Sequence, residues 1–434
     1  MRTAYHYRIK DKSAFKRRLL LWAQGYNEVV WLDSNDHKDI YGSKDGILAV
    51  GAASSIQYQA KGAFLKLKEF IDQTEDWIFG YLSYDLKNDL EDLSSNGYDG
   101  LGFPDLYFFQ PKKIIRIKDQ MAEFLYLSSC QEEVLDDIEK INSNDKEAVP
   151  ATHDPIKIRM RMFKETYYHK VGQMLKHIQR GNIYEANFCQ EFYAQQTIID
   201  PVTAYRRLNK ISRPPFAAYL KIGPLYLISA SPERFLKKQG DLLVSQPIKG
   251  TARRSSDSAE DEQLKKDLGS DPKERAENIM IVDLVRNDLS KFALKGSVKV
   301  KELCKVYSFE QVHQMISTIE AKVAKNTHPA DLLKATFPMG SMTGAPKYSA
   351  MKIIEELERT KRGLYSGAVG YFEPDKNFDF NVVIRSILYN HKRQYLSFSV
   401  GSAITAKALP EKEYQECLLK AKAMRLVLEK DDVK

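Results

Sequence analysis

No apolar run in the 434-residue sequence approaches the ~18 residues that a membrane-spanning helix takes. The stretch Leu19-Leu20-Leu21-Trp22-Ala23, after Lys16-Arg17-Arg18, is too short for the apolar core of a secretory leader and stops at Gln24. Cysteine is scarce: Cys130, Cys189, Cys304 and Cys417 lie far apart, with no Cys-x-x-Cys pair. That spacing carries no zinc signature and suits free thiols in a reducing compartment. The formal net charge of +8 raises the question of nucleic acid. However, Lys and Arg are interspersed with Asp and Glu, and no basic arm, basic helix or RNA-binding sheet motif stands out. There is no internal repeat and no low-complexity tract. These absences lead to the expectation of a cytoplasmic protein that engages neither membrane nor nucleic acid.

What is present is a globular composition, 43% hydrophobic, 11% aromatic and 29% charged. Residues 143–155, "SNDKEAVPATHDP", are polar, hold two prolines and lack periodicity, so they read as a linker or long surface loop. They separate an N-terminal region, 1–142, from a larger region, 156–434. Short β-like runs dominate the first, at 29–32, 47–50, 77–81 and 113–117, with a helix expected at 61–73. In the second, Phe163, Tyr167, Val171, Leu175 and Ile178 recur at helical spacing, and Gly181 can end that helix. Further helices are expected at 272–289, 346–362 and 411–429, and strands at 183–193, 216–222, 225–230, 366–373, 378–389 and 394–400. Strand pairs in runs, separated by helices, favour an α+β fold over a doubly wound parallel sheet.

Several residues could carry chemistry. Lys249 sits in "QPIKGTARR" (246–254), between a proline and a glycine, where an apolar run ends. A lysine at such a turn ordinarily reaches into water. Acting as a nucleophile it needs a pKa lowered by desolvation or by cations, which Arg253 and Arg254 supply if they face inward. The stretch "AENIMIVDLVRNDL" (276–289) is apolar nearly all round and is expected to be a buried helix. Glu277 and Asp283 are then either paired with a base such as Arg286 or ligands of a hard cation such as Mg²⁺. Glu416 and Lys420 have the i,i+4 spacing of a helix ion pair. "GSMTGAPK" (340–347) is a glycine loop opening a helix. It is receptive to an anion at its free N–H groups, or is explained by Thr343 near the N-cap and Pro346 at the first turn. Its spacing is not that of a P-loop. Arg385, in "NVVIRSIL", falls on a strand apolar on both faces, so it needs an anion, either a structural carboxylate or one on a ligand. Glu233, in "SPERF" (231–235), reads by itself as a turn acid.

Taken together and in this order, "GNIYEANF" (181–188), "SPERF", "PIKGT" (247–251), "AENIMIVDLVRND" (276–288), "GSMTGAPK", "YSGAVGYF" (365–372) and "YQECLLKA" (414–421) form a pattern. The chain resembles the chorismate-utilising enzymes, the family of anthranilate synthase component I, aminodeoxychorismate synthase component I, isochorismate synthase and salicylate synthase. The motifs run through 160–425; the first 140 residues match more loosely, through "GYLSYDL" (80–86) and "WLDSND" (31–36). The resemblance implies two packed β-sheets with helices on the outer faces. In that family the residue between Ile and Gly of P-I-x-G-T separates activities: Ala in anthranilate, isochorismate and salicylate synthases, typically Lys in aminodeoxychorismate synthases. Lys249 therefore looks like a nucleophile that attacks C2 of chorismate on the way to 4-amino-4-deoxychorismate, which feeds p-aminobenzoate and folate.

The same resemblance gives Mg²⁺ to Glu277 and Glu416, the general-acid role to Glu233 and ring orientation to Thr251. The ring carboxylate would meet the loop around Thr343 and Gly344. The enolpyruvyl carboxylate would meet Arg385, Tyr365, Lys420 and a backbone N–H near Ala403. Ammonia is expected from a separate glutaminase subunit, since no amidotransferase segment is recognisable. Three features depart from the pattern. The "HLxS" slot of many relatives, which supplies an active-site His, reads Gln314-Met315-Ile316-Ser317, with His313 one place earlier. The G-x-G before the last helix reads Gly401-Ser402-Ala403, and the nearest match to a tryptophan-holding L-L-E-S is Leu32-Asp33-Ser34. The rival readings are an anthranilate- or isochorismate-forming enzyme and, in another class, a non-catalytic regulator that binds chorismate or tryptophan. A regulator has no need of Lys249, Lys420 and the Glu277–Glu416 pair together.

Overall fold

Valine, isoleucine and aromatic side chains crowd the expected strand segments, and such residues favour a pleated, half-buried backbone. The computed structural model describes residues 2–37, 40–42, 44–144, 156–310 and 312–429; residues 145–155 of the expected linker lie outside them. One sheet runs Arg2–Arg8, Met121–Leu127, Leu106–Lys118, Gly46–Tyr58, Glu28–Asp33, Phe216–Ile222, Leu225–Ser231, Ser386–Asn390, Tyr395–Thr405, Glu185–Ala194. The other runs Ile78–Leu82, Ala368–Phe372, Phe378–Val382, Arg234–Gln239, Leu242–Gln246, Val312–Lys322. These ladders are antiparallel, and residues 2–142 contribute strands to both sheets. The sheets are joined through Leu106–Lys118: its second half pairs with Met121–Leu127 and its first half, on the same edge, with Ile78–Leu82. A register shift between Ala52 and Ser54 bends its other neighbour near this junction.

Alternation along the strands assigns the faces. Val30, Ala49 and Leu220 of the first sheet share a core with Phe79, Leu243, Ile319 and Phe380 of the second, so the sheets pack face to face. Their neighbours Val29, Trp31, Leu48 and Tyr219 turn outward, beneath the helices Lys12–Ala23, Lys164–Gln179, Pro201–Ser212 and Pro410–Leu428. This is the expected α+β architecture of two packed sheets with helices outside. No helix among the described residues is long and apolar enough to cross a membrane, and the four cysteines are free and buried.

Three elements differ from expectation. The helix Pro272–Ser290 is not buried all round. It lies on Val312–Lys322 along one face, burying Glu277, Asn278, Ile281 and Val282. Ile279 stays exposed, and so does Asp283, which pairs with Arg286 at 2.8 Å. The helix expected to reach 362 is Lys347–Leu357; beyond it the backbone of Arg359 and Lys361 bonds to Tyr98 instead. The expected strand 378–389 is two strands, Phe378–Val382 and Ser386–Asn390, broken where Arg385 takes φ 52.

Candidate active site

A break in a ladder turns Lys249 inward. The strand Ile248–Arg253 pairs with Val312–Lys322, but the register shifts between Ile248 and Thr251. Gly250 takes φ 95 there, a left-handed value open to glycine at little cost. The extra residue re-aims its neighbours. Lys249 Nζ comes to 3.4 Å from Oε1 of Glu185, a residue 1% exposed. Burial opposes the charge on Lys249, but Glu185, Glu277 and Glu416 outweigh it and hold the ammonium above its ordinary range. The expected lowering is thus reversed in the protein alone. Arg253 and Arg254 face outward onto Glu260 and Asp261, and the neighbours of Lys249 are anions. Thr251, past the bulge, is exposed opposite Gln314, so the structure does not bring its hydroxyl into this cluster.

Glu233 lies where Leu225–Ser231 gives way to Arg234–Gln239, 4% exposed, with Oε1 accepting a 2.7 Å hydrogen bond from Ser341. Burial pushes its carboxyl up to about 7, against the pull of Ser341 and Lys249. Ser341 comes from the glycine loop, so that loop meets the site through an acid rather than a bare helix end. Thr343 is fully buried and donates its hydroxyl to the carbonyls of Met339 and Gly340. Gly344 pairs with Ala186, where any Cβ would land on the Glu185 carbonyl oxygen. Lys347 is tied to Asp288 at 2.5 Å.

Glu277 faces the same space. Burial pushes its carboxyl up to about 7 despite Lys249 and Lys273, and its buried Oε1 accepts no hydrogen bond among the described residues. Lys273 hangs between Glu277 (3.8 Å) and Glu413 (3.7 Å), and its ammonium also feels Glu274 and Glu416. No group of three His, Cys, Asp or Glu side chains among the described residues closes into a metal cage. Mg²⁺ does not require one, since it binds through one or two carboxylates and completes its shell with water and substrate oxygens. A buried carboxylate oxygen with no hydrogen bond among the described residues, amid converging acids, fits such a cation.

On the far side, Arg385 makes no side-chain hydrogen bond or ion pair among the described residues. Burial pulls its guanidinium below the usual range, against Tyr365 and Glu416. A half-buried guanidinium without a partner among the described residues is open to an anion. Among the described residues, the buried Tyr365 hydroxyl accepts only a long 3.8 Å contact from the Cys189 thiol. Lys420 pairs with Glu416 at 2.6 Å and donates to the Gly401 carbonyl at 2.9 Å; burial works against the Glu416 charge, but Lys420 keeps its carboxyl below the ordinary range. Ladder parity locates Ala403. The Asn187 and Cys189 N–H groups point away from Tyr395–Thr405, to the Thr343 carbonyl and to Glu358. Their partners Ala403 and Gly401 therefore direct their own polar groups off the other edge, the edge that Lys420 reaches.

Sequence reasoning missed Glu185, Ser341, Glu274 and Lys273. Glu185 was visible as an acid in an apolar strand, and Glu274 and Lys273 precede Glu277 by one helical turn. His313 is pinned on the opposite face from Gln314, its ring nitrogens 3.0 Å from Asp261 and 2.9 Å from Ser308.

The sequence profile of the chorismate binding enzymes matches residues 17–426. The chain is 34% identical over 360 residues to anthranilate synthase component 1 of Thermus thermophilus, covering 81% of this chain and 77% of that protein. It is 32% identical over 362 residues to aminodeoxychorismate synthase component 1 of Bacillus subtilis, covering 81% and 76%. The crystal structure of anthranilate synthase component I from Streptococcus pneumoniae superposes with a TM-score of 0.76 at 26% identity, over 90% of this chain and 94% of that one.

Proposed function

This chorismate-utilising chain belongs to the chorismate-binding enzymes, and we propose that it is their aminating member, component I of an aminodeoxychorismate synthase. The observation that carries the reading is Lys249: an amine turned into the acid cluster, in the P-I-K-G-T that typifies that activity, 3.4 Å from Glu185. A relative named for anthranilate synthesis is as similar overall, so the choice rests on this residue.

The neutral Lys249 amine attacks C2 of the ring. The C1=C2 pair shifts to C6–C1, the C5=C6 pair shifts to C4–C5, and the C4–O bond breaks, the hydroxyl leaving as water with the proton of Glu233. With its carboxyl near 7, Glu233 still holds that proton around neutral pH. Ammonia then attacks C4, the double bonds shift back and the C2–N bond breaks, returning Lys249 as an amine. One hard displacement becomes two allylic ones. Arg385, Lys420 and Tyr365 hold the enolpyruvyl carboxylate, with the Ala403 N–H on the open strand edge; Gly344 and its loop hold the ring end. Glu277 and Glu416 are the residues that would hold Mg²⁺, which when bound would supply positive charge to offset the ring carboxylate. The ammonia comes from a separate glutaminase subunit, and the free thiols suit a cytoplasmic setting.

The test is covalent trapping. Chain incubated with chorismate and Mg²⁺ without ammonium, then quenched, is expected to carry a dehydrated chorismate adduct on the peptide containing Lys249. Lys249→Ala is expected to bind chorismate and lose aminodeoxychorismate formation by orders of magnitude. Near-normal output from that variant, with no adduct in the parent, would make Lys249 a spectator.

A further inference from the structure

We propose that Glu185 is the proton acceptor for Lys249: its carboxylate takes the ammonium proton before attack on the ring and returns it once the amine has left. The inference rests on the reading of Lys249 as the nucleophile.

An ammonium has no lone pair, and a lysine of ordinary pKa, ~10.4, is an ammonium at neutral pH. A base must therefore be in reach. Glu185 approaches Nζ most closely, Oε1 standing 3.4 Å away. Its Oε2 is buried and accepts no hydrogen bond, so Lys249 is its single ion-pair partner among the described residues. The other groups facing Lys249 have other ties. Glu277 and Glu274 come from Pro272–Ser290, and Glu416 from Pro410–Leu428. Glu277 and Glu416 are the proposed metal pair. Glu233, from the turn before Arg234–Gln239, is bonded to Ser341 and serves the leaving hydroxyl. Lys273 and Lys420 engage Glu413 and Glu416. Glu185 is left with Lys249 alone.

The protons balance. Lys249 gives one to Glu185 and its lone pair forms the bond to C2. Glu233 gives one to the departing hydroxyl. The bonded nitrogen is a secondary ammonium, so when ammonia enters at C4 the C2–N pair returns to nitrogen and Lys249 leaves as a neutral amine. Glu185 hands its proton back, and Glu233 recovers one from the new C4 ammonium. The sum is chorismate and ammonia in, aminodeoxychorismate and water out.

The experiment compares the parent chain, Glu185→Gln and Glu185→Asp, each with chorismate and Mg²⁺ but no ammonium, quenched over time and read as adduct by intact mass. Chorismate affinity, measured alongside, should stay within a few-fold of the parent. The Gln variant should form adduct about a hundredfold more slowly at pH 7, with a rate that climbs as pH rises and solvent takes the proton. The Asp variant should be slowed less and keep the parent's pH profile. Adduct forming in the Gln variant as fast as in the parent, or faster, overturns the proposal, since that is the outcome if Glu185 merely keeps Lys249 charged. Should the Gln variant fail to bind chorismate, the Asp variant decides, and an unchanged rate there overturns the proposal. No adduct in the parent chain overturns the nucleophile reading, and this inference falls with it.

Discussion

Two groups stand without an ordinary structural purpose, the buried, half-protonated acid Glu233 and the half-buried Arg385, which has no ion-pair partner among the described residues. Burial raises the folded pKa of Glu233 to about 7 from an ordinary 4.5, so between those values the native protein holds a proton that the unfolded chain has released. Stability from this group is therefore lost as pH rises through that window. Glu233→Gln is expected to stabilise the fold at pH 8 by about 1–3 kcal/mol, read by denaturant unfolding, while removing most turnover. A Gln variant less stable than the parent at pH 8 would mean that the charged carboxylate is structurally needed. Arg385→Ala should weaken chorismate binding by about 2–3 kcal/mol, the worth of charged hydrogen bonds, and leave stability unchanged or higher. Calorimetric titration and thermal unfolding separate this from a structural arginine, whose loss lowers stability and spares affinity.

At the scale of elements, two helices carry the acids proposed for the metal: Pro272–Ser290 presents Glu277 and Pro410–Leu428 presents Glu416. Glu416→Gln should raise the Mg²⁺ concentration for half-maximal turnover at least tenfold and leave the circular dichroism spectrum unchanged; the same Mg²⁺ dependence in both proteins would remove Glu416 from the metal. Most of these elements were legible in the sequence, because β-branched runs, helical spacing and the order of the motifs are local signals. What was not legible depends on contacts between elements. The Pro272–Ser290 helix looks uniformly apolar in sequence, and its exposed Ile279 emerges only when one face meets the sheet. The break at Arg385 is a φ 52 residue inside the strand-like stretch Val382 to Leu388, with no glycine or proline to announce it. Lys249 is legible through its motif, but its neighbours are not: Arg253 and Arg254 lie beyond the bulge and do not meet the condition of facing inward, and Glu185 arrives from a strand 64 positions earlier in the sequence.

At the scale of the whole molecule, the site is assembled where the two sheets meet. One sheet supplies Glu185 and the Ala403 edge, the other Lys249, the crossings between the sheets supply Glu233 and Arg385, and two helices close the acid cluster. Opposite charges from distant segments converge around Lys249 and Glu416. The proposed function divides the labour between two chains. Ammonium at high pH, where free ammonia is plentiful, should support turnover by this chain alone, whereas glutamine should not until a glutaminase is added; product from glutamine with the purified single chain would contradict the separate partner. The central claim, amination at C4 through Lys249, is tested most directly by the mass and identity of the product from chorismate, Mg²⁺ and ammonium. The account predicts 4-amino-4-deoxychorismate, with the enolpyruvyl group retained and no pyruvate released. Anthranilate with an equivalent of pyruvate, or isochorismate formed at the same rate without ammonium, would contradict it.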